Sequence, residues 1–145
     1  MRSVFVYVKD ATKESVVSCL PTLKNIHTSR IGLPWIYNIE GETYLYVDVN
    51  DEPASEYEAE EWQEIVAQFG EVPKVEITVD VSGRHPGDKQ VQDFVESVLN
   101  VFTGAALDEY TLHLWTIEEI KAKIFVNGHP FFDYNGWYTA SENQV

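Results

Sequence analysis

VEITVDV SGRHPGD KQVQDFVESVLNVF, residues 75–102, carries two hydrophobic periods in succession, and their order decides the fold class. In the first seven residues Val75, Ile77, Val79 and Val81 alternate with Glu76, Thr78 and Asp80. A period of two belongs to a strand with one buried and one polar face. From Val91 onward the period lengthens. Phe94, Val95, Val98, Leu99 and Phe102 return at helical spacing while Gln92, Asp93, Glu96 and Asn100 face away, which predicts an amphipathic helix. Between them SGRHPGD reads as a glycine-bearing turn, with Asp88 placed to cap the helix.

Working back towards the N-terminus, VFVYV (4–8) is apolar on both faces and suits a central strand covered on both sides. Asp10 or Thr12 can cap a helix whose face is Val16, Val17, Leu20 and Leu23, with Pro21 stopping it near Leu20. Residues 24–34 show no clean period and read as a connection. Residues 35–39 and 43–49 predict a hairpin. Its second strand separates Leu45, Val47 and Val49 from Tyr44, Tyr46 and Asp48. Ser55 followed by Glu58 has the spacing of a capping box, opening a helix with Trp62, Ile65, Val66 and Phe69 on its buried stripe and Gly70 at its end.

Working forward, Thr103 and Gly104 break the pattern, residues 105–115 can hold a further strand, and Thr116 with Glu119 forms a second capping box. Residues 127–138 (NGHPFFDYNGWY) combine turn formers with large rings and read as an ordered irregular segment. The expected architecture is α+β, a single two-layer domain. Its core, 4–102, follows the βαββαβ order of ferredoxin-like domains, with a helical and aromatic extension over 103–138 and a frayed tail over 139–145.

The 145 residues carry a net charge of −14, 44% hydrophobic residues and one cysteine, Cys19. That length can bury a core unaided, and a lone cysteine in an apolar run behaves as a small hydrophobe, which favours a reducing, cytoplasmic setting. The charge disfavours nucleic acid and anionic membrane surfaces, whose binding needs Lys and Arg, and it favours a basic protein partner. The bland alternative is that acidity serves solubility.

Four groups of residues are candidate sites. The turn offers Arg84, His85 and Asp88 beside a helix start, ingredients of an anion site, although the Walker ending is missing and a capping acid would itself occupy the anion position. His27, His85, His113 and His129 lack metal-ligand spacing, so no metal or cofactor is expected. Asp108 and Glu109 with Tyr110 and His113 suggest acid–base chemistry, but solvated loop acids are the ordinary reading. The fourth group is a partner surface. Seven acids and no base fall between 51 and 64, among them Glu56, Glu60, Glu61 and Glu64. If the strands pair as predicted, Tyr44, Tyr46, Asp48, Glu76 and Asp80 share one polar sheet face, fit for Arg and Lys side chains, unless the C-terminal rings cover it.

The segments VDVSGRHPGD (79–88), LDEYTLHLWTIEEI (107–120) and GHPFFDYNGWY (128–138) resemble a family of small bacterial proteins that act as immunity proteins beside polymorphic toxins. The resemblance covers the C-terminal half. It implies a non-enzymatic cytoplasmic antitoxin that binds and blocks a toxin domain, and it supplies no catalytic residues. The alternatives from the residues alone are a small anion-binding or enzymatic domain using the SGRHPGD turn, and a housekeeping interaction module.

Overall fold

The strand that is apolar on both faces, β1 (Arg2–Val8), lies inside a sheet with a hydrogen-bonded neighbour on each side. The computed structural model describes residues 2–23, 26–28, 35–39, 42–83 and 87–133. After β1 come α1 (Lys13–Cys19), β2 (Ile26–Thr28), β3 (Trp35–Ile39), β4 (Glu42–Asn50), α2 (Ala59–Phe69), β5 (Val75–Val81), α3 (Asp88–Val101), β6 (Gly104–Leu107) and α4 (Ile117–Ala122). The protein is α+β, and among the described residues six strands run in the order β2-β3-β4-β5-β1-β6. Every described pairing is antiparallel.

This order corrects the ferredoxin-like expectation. That arrangement would set the strand at 43–49 between those at 35–39 and 4–8, with the strand at 75–81 on the other edge of 4–8. Instead β4 pairs with β5, Val47 opposite Val79, and β1 takes β5 on one side and β6 on the other. The physical difference lies in β6, a short strand that fills the second edge of β1 with four residues, Phe5 opposite Leu107 and Val8 opposite Gly104. Backbone groups on both sides of a buried strand have to be paired; β5 and β6 do this for β1, and β4 pairs with the other edge of β5 instead.

Alternation then sorts the two faces. Val4, Val6 and Val8, Leu45, Val47 and Val49, and Val75, Ile77, Val79 and Val81 are all buried in one cluster with Val16 and Leu20 from the α1 region, Phe94, Val95 and Val98 of α3, and Ile120 of α4. Each such side chain contributes about 1.5–3 kcal/mol when fully removed from water. On the opposite face Tyr7, Ala105 and Leu107 meet Ile65 and Phe69 of α2. Over β4 and β5 the protein therefore has two layers, while α2 adds cover to the other side of β1 and β6.

Local signals explain most boundaries. Thr12 caps α1 with Ser15 as its reciprocal partner, and the helix gives way at Leu20 to a 3₁₀ turn, Leu20–Thr22, containing Pro21. Thr116 and Glu119 form the expected capping box of α4, and Gly70 ends α2 in the left-handed region at φ 87°. Two caps differ from expectation. Ser55 does not open α2, because Pro53 starts a 3₁₀ turn, Pro53–Glu56, in which the Ser55 hydroxyl donates to the Glu52 carbonyl at 2.9 Å. The helix begins after Glu58, without a side-chain cap. At α3 the cap residue is Gly87, and Asp88 is the first helical residue. Gly87 has φ 75°, and a Cβ there would stand 2.4 Å from Val81 Cγ1, so both conformation and space demand glycine.

The short strand β2 falls in the stretch 24–34 that shows no period, since three residues are too few to display one. Among the described residues no helix is long and apolar enough to cross a membrane.

Gly104 tests the β1–β6 pairing. A Cβ on it would stand 2.0 Å from the Tyr7 carbonyl oxygen, a backbone atom that cannot turn aside. Gly104→Ala is expected to destabilise the fold by about 1–3 kcal/mol or more through forced strand separation, read as a lower urea midpoint with an unchanged slope.

Candidate functional site

The register of the central strands builds the surface row by row. Asn50, Glu76 and Tyr7 stand side by side, then Asp48, Thr78 and Phe5, then Tyr46, Asp80 and Ser3. Directly paired residues project to the same face, so these nine share the face that α2 covers only over β1 and β6. The uncovered half holds a groove of about 350 Å³ lined by Phe5, Asp48, Asn50, Glu76, Thr78 and Asp80. Asp48 is exposed, with Oδ1 accepting from the Val49 N–H at 2.7 Å. Asp80 Oδ1 accepts from the Ser3 hydroxyl at 2.5 Å. Glu109 comes to the same edge, accepting a hydrogen bond from the Ser3 N–H. Tyr46 is 36% exposed.

Two members of the expected face are placed differently. Glu76 is only 1% exposed and lies at the groove floor. The Tyr57 hydroxyl donates to its Oε2 at 2.6 Å, Thr78 Oγ1 lies 3.4 Å from its Oε1, and the Tyr7 and Tyr57 hydroxyls are hydrogen-bonded to each other. It is an internal anchor and not a contact group. Tyr44 is half-buried and packs against the main core cluster, so it leaves the exposed row. The C-terminal rings that are described, Phe131 and Phe132, are buried with Trp115 in the cluster on the other side of the sheet, and the remaining rings of 134–138 lie outside the described residues.

Tyr57 is the residue that sequence patterning passed over. The 3₁₀ turn and an extended Tyr57 (φ −127°, ψ 153°) bring its ring to stack on Trp62, centroids 5.6 Å apart, and to meet Phe5 edge-on at 6.0 Å. Tyr7 in turn meets Trp62 and Phe69 edge-on, and the Lys9 ammonium sits 4.8 Å from the Phe69 centroid. A tyrosine two residues before a helix and directly after a proline turn, in a run of acids, was the available signal. Burial above all pushes the Tyr7 and Tyr57 hydroxyls above the ordinary tyrosine range, and the neighbouring Glu76 charge adds to it.

The acidic helix lies alongside. Glu60, Glu61 and Glu64 of α2 are exposed, and among the described residues none of them is ion-paired. Glu64 accepts from Gln68 Nε2 at 3.0 Å, while the same Gln68 amide holds the extended chain beyond β6, donating to the Leu112 carbonyl and accepting from the Leu114 N–H at 2.7 Å. Glu56 closes the 3₁₀ turn that leads into α2. Thus α2 and the open half of the sheet face the same way, joined by Tyr57 and Trp62.

The other candidates separate. Arg84 and His85 lie outside the described residues, and Asp88 is half-buried at the start of α3. His113 pairs with Glu119 at 3.0 Å and His129 with Asp133 at 2.9 Å. Among the described residues no group of three or more His, Cys, Asp or Glu is placed to hold a metal ion. Asp108 is 3% exposed and has a structural task. Its Oδ1 accepts from Tyr110 N, Thr111 N and Thr111 Oγ1, and its Oδ2 from Phe132 N at 2.9 Å. Burial pushes its carboxyl up, and the N–H donors of Phe132, Tyr110 and Thr111 pull it back.

Two measurements check these roles. Tyr7, Tyr57 and Tyr110 all have hydroxyls shifted upward by burial. A raised folded-state pKa means stability that is complete below the unfolded value of about 10 and erodes as pH climbs above it. Absorbance titration should therefore show Tyr7, Tyr57 and Tyr110 ionising only as the chain unfolds, and Tyr57→Phe should cost about 1–3 kcal/mol by depriving buried Glu76 of a donor. Asp108→Asn is expected to cost a similar amount, because its amide cannot accept at both positions and one N–H donor is left unmatched; denaturant unfolding reads it. Comparison of this chain with family models, with curated proteins and with solved structures finds no match.

Proposed function

We propose that this chain is a non-enzymatic cytoplasmic immunity protein that binds and neutralises a cognate, basic toxin domain with its acidic side. The observation that carries this reading is the position of α2 on the same side of the sheet as the open β4–β5 face. Two acidic patches distant in sequence, Glu60, Glu61 and Glu64 in one and Asp48 and Asp80 in the other, thereby form one surface with Phe5, Tyr46, Tyr57 and Trp62 among them. A net charge of −14 steers a basic partner into contact, raising encounter rates by roughly ten- to a thousandfold. Once there, Arg and Lys side chains meet carboxylates and ring faces in a groove partly shielded from water. Inhibition is by occlusion, so the inhibitor needs no reactive group. The resemblance of the C-terminal segments to immunity proteins agrees with this chemistry.

The test is co-expression and purification with the product of a toxin-bearing reading frame beside its gene. Association should be fast and should slow by about tenfold or more when salt is raised or when Glu60, Glu61 and Glu64 are all changed to Lys; these exposed substitutions should leave the circular dichroism spectrum unchanged. Binding that ignores both salt and charge reversal would sink the electrostatic reading. The lack of a neighbouring toxin, or of protection against it, would leave an interaction module without an immunity role.

A further inference from the structure

Along one side of α4 the exposed residues are Glu118, Lys121 and Ala122, the i, i+3, i+4 spacing of a helix face. Beyond its left-handed cap, Lys123 at φ 54°, the chain presents Ile124 at 36% and Phe125 at 67% exposure. This pair is not on a loose end. Ile124 N donates to the Glu119 carbonyl at 3.2 Å, and Val126 and His129 exchange backbone hydrogen bonds of 2.9 and 3.1 Å across a turn at Asn127 and Gly128. A phenylalanine is thus held out in water by ordered backbone on both sides. At the opposite end of α4 lies an open cleft of about 390 Å³ whose apolar lining includes Phe69, Leu99, Leu114 and Ile117, with Glu118 at its border.

We propose that a second copy of this chain covers this surface, related by a twofold axis beside the middle of α4. The helix carries acids first and bases last, Glu118 and Glu119 and then Lys121 and Lys123. These two lysines are the sole Lys or Arg residues after Lys89. Laid antiparallel on itself, such a helix is self-complementary, as a twofold contact requires. With Lys121 set against Glu118 of the other copy, Phe125 beyond the C-terminal end of one helix lies towards the N-terminal end of the other, where Ile117 and Glu118 line the cleft. Lys121 also donates to Asn100 Oδ1 at 3.2 Å, and an ammonium has donors to spare. Glu119 is committed to the Thr116 capping box and to His113, which leaves Glu118 as the acid that faces outward. Because α4 packs with α3 on the core side of the sheet, the contact leaves the acidic face open to its own partner and does not depend on the immunity reading.

Sedimentation equilibrium of the full chain at about 0.15 M salt, where repulsion between two acidic copies is screened beyond about 8 Å, should show dimers in the micromolar range expected of a small interface. Phe125→Ser should leave a monomer with an unchanged melting profile, since the ring is mostly in water already. Glu118→Lys and Lys121→Glu should each weaken self-association by about tenfold or more, by setting like charges against each other. An equimolar mixture of those two variants should recover the dimer, because each then presents the charges the other lacks. A wild-type chain that stays monomeric at about 200 μM, far above that range, overturns the proposal. So does dimerisation that survives Phe125→Ser, or a mixture that fails to recover.

Discussion

Strand β1 has to be covered on both faces, and the rest of the structure is arranged around that constraint. Val4, Val6 and Val8 demand an apolar layer on one side, supplied by α1 and α3, while Phe5 and Tyr7 demand another on the reverse, supplied by α2 and Tyr57. Its backbone needs two neighbours, supplied by β5 and β6. Gly104 is the tight point of that arrangement, because β6 approaches the Tyr7 carbonyl too closely for any side chain at that position. Covering Tyr7 brings α2 across the sheet, and the sheet is wider than one helix. Its β4–β5 half is left open on that side.

The open half would be an ordinary polar sheet face were it not tied to the core through an acid. Glu76 is buried among Tyr57, Thr78 and Tyr7, a hydrogen-bonded carboxyl of the kind that costs several kcal/mol if its partners are lost. Through it, the chain between β4 and α2 is pinned onto the sheet, and the stacked Tyr57–Trp62 pair becomes the seam between the helix acids and the strand acids. The same network that supports the fold therefore positions the surface on which the proposed function rests. Asp108 performs the matching task at the other end, tying Phe132 and the 108–111 turn together from a buried site.

Much of this was legible in the residues, and the misses have physical causes. The alternations of 43–49 and 75–81 identified the buried rows and the polar rows, and Asp48 and Asp80 stand where those alternations put them. The capping boxes at Thr116 and the stop at Gly70 were readable because each depends on contacts within one turn. Ser55 misled because the turn that Pro53 starts takes it in, and its hydroxyl donates to the Glu52 carbonyl instead of accepting from a helix N–H. Glu76 misled because alternation tells which face a side chain leaves from, and not whether a loop 19 residues upstream will fold back to bury it. Tyr57 was missed for the same reason.

By itself the sequence determined the local matters: which segments are strands or helices, which side of each is apolar, where most of them stop, and that the whole carries a large negative charge. These follow from period, propensity and capping, which act over a few residues. Strand order, the side of the sheet on which α2 lies, and the merging of two acidic stretches into one surface were decided only in the tertiary structure. They depend on which backbone edges and apolar faces meet across 20 or more residues of chain, a competition among pairings that the hydrophobic pattern permits equally and that only simultaneous burial and hydrogen bonding resolve.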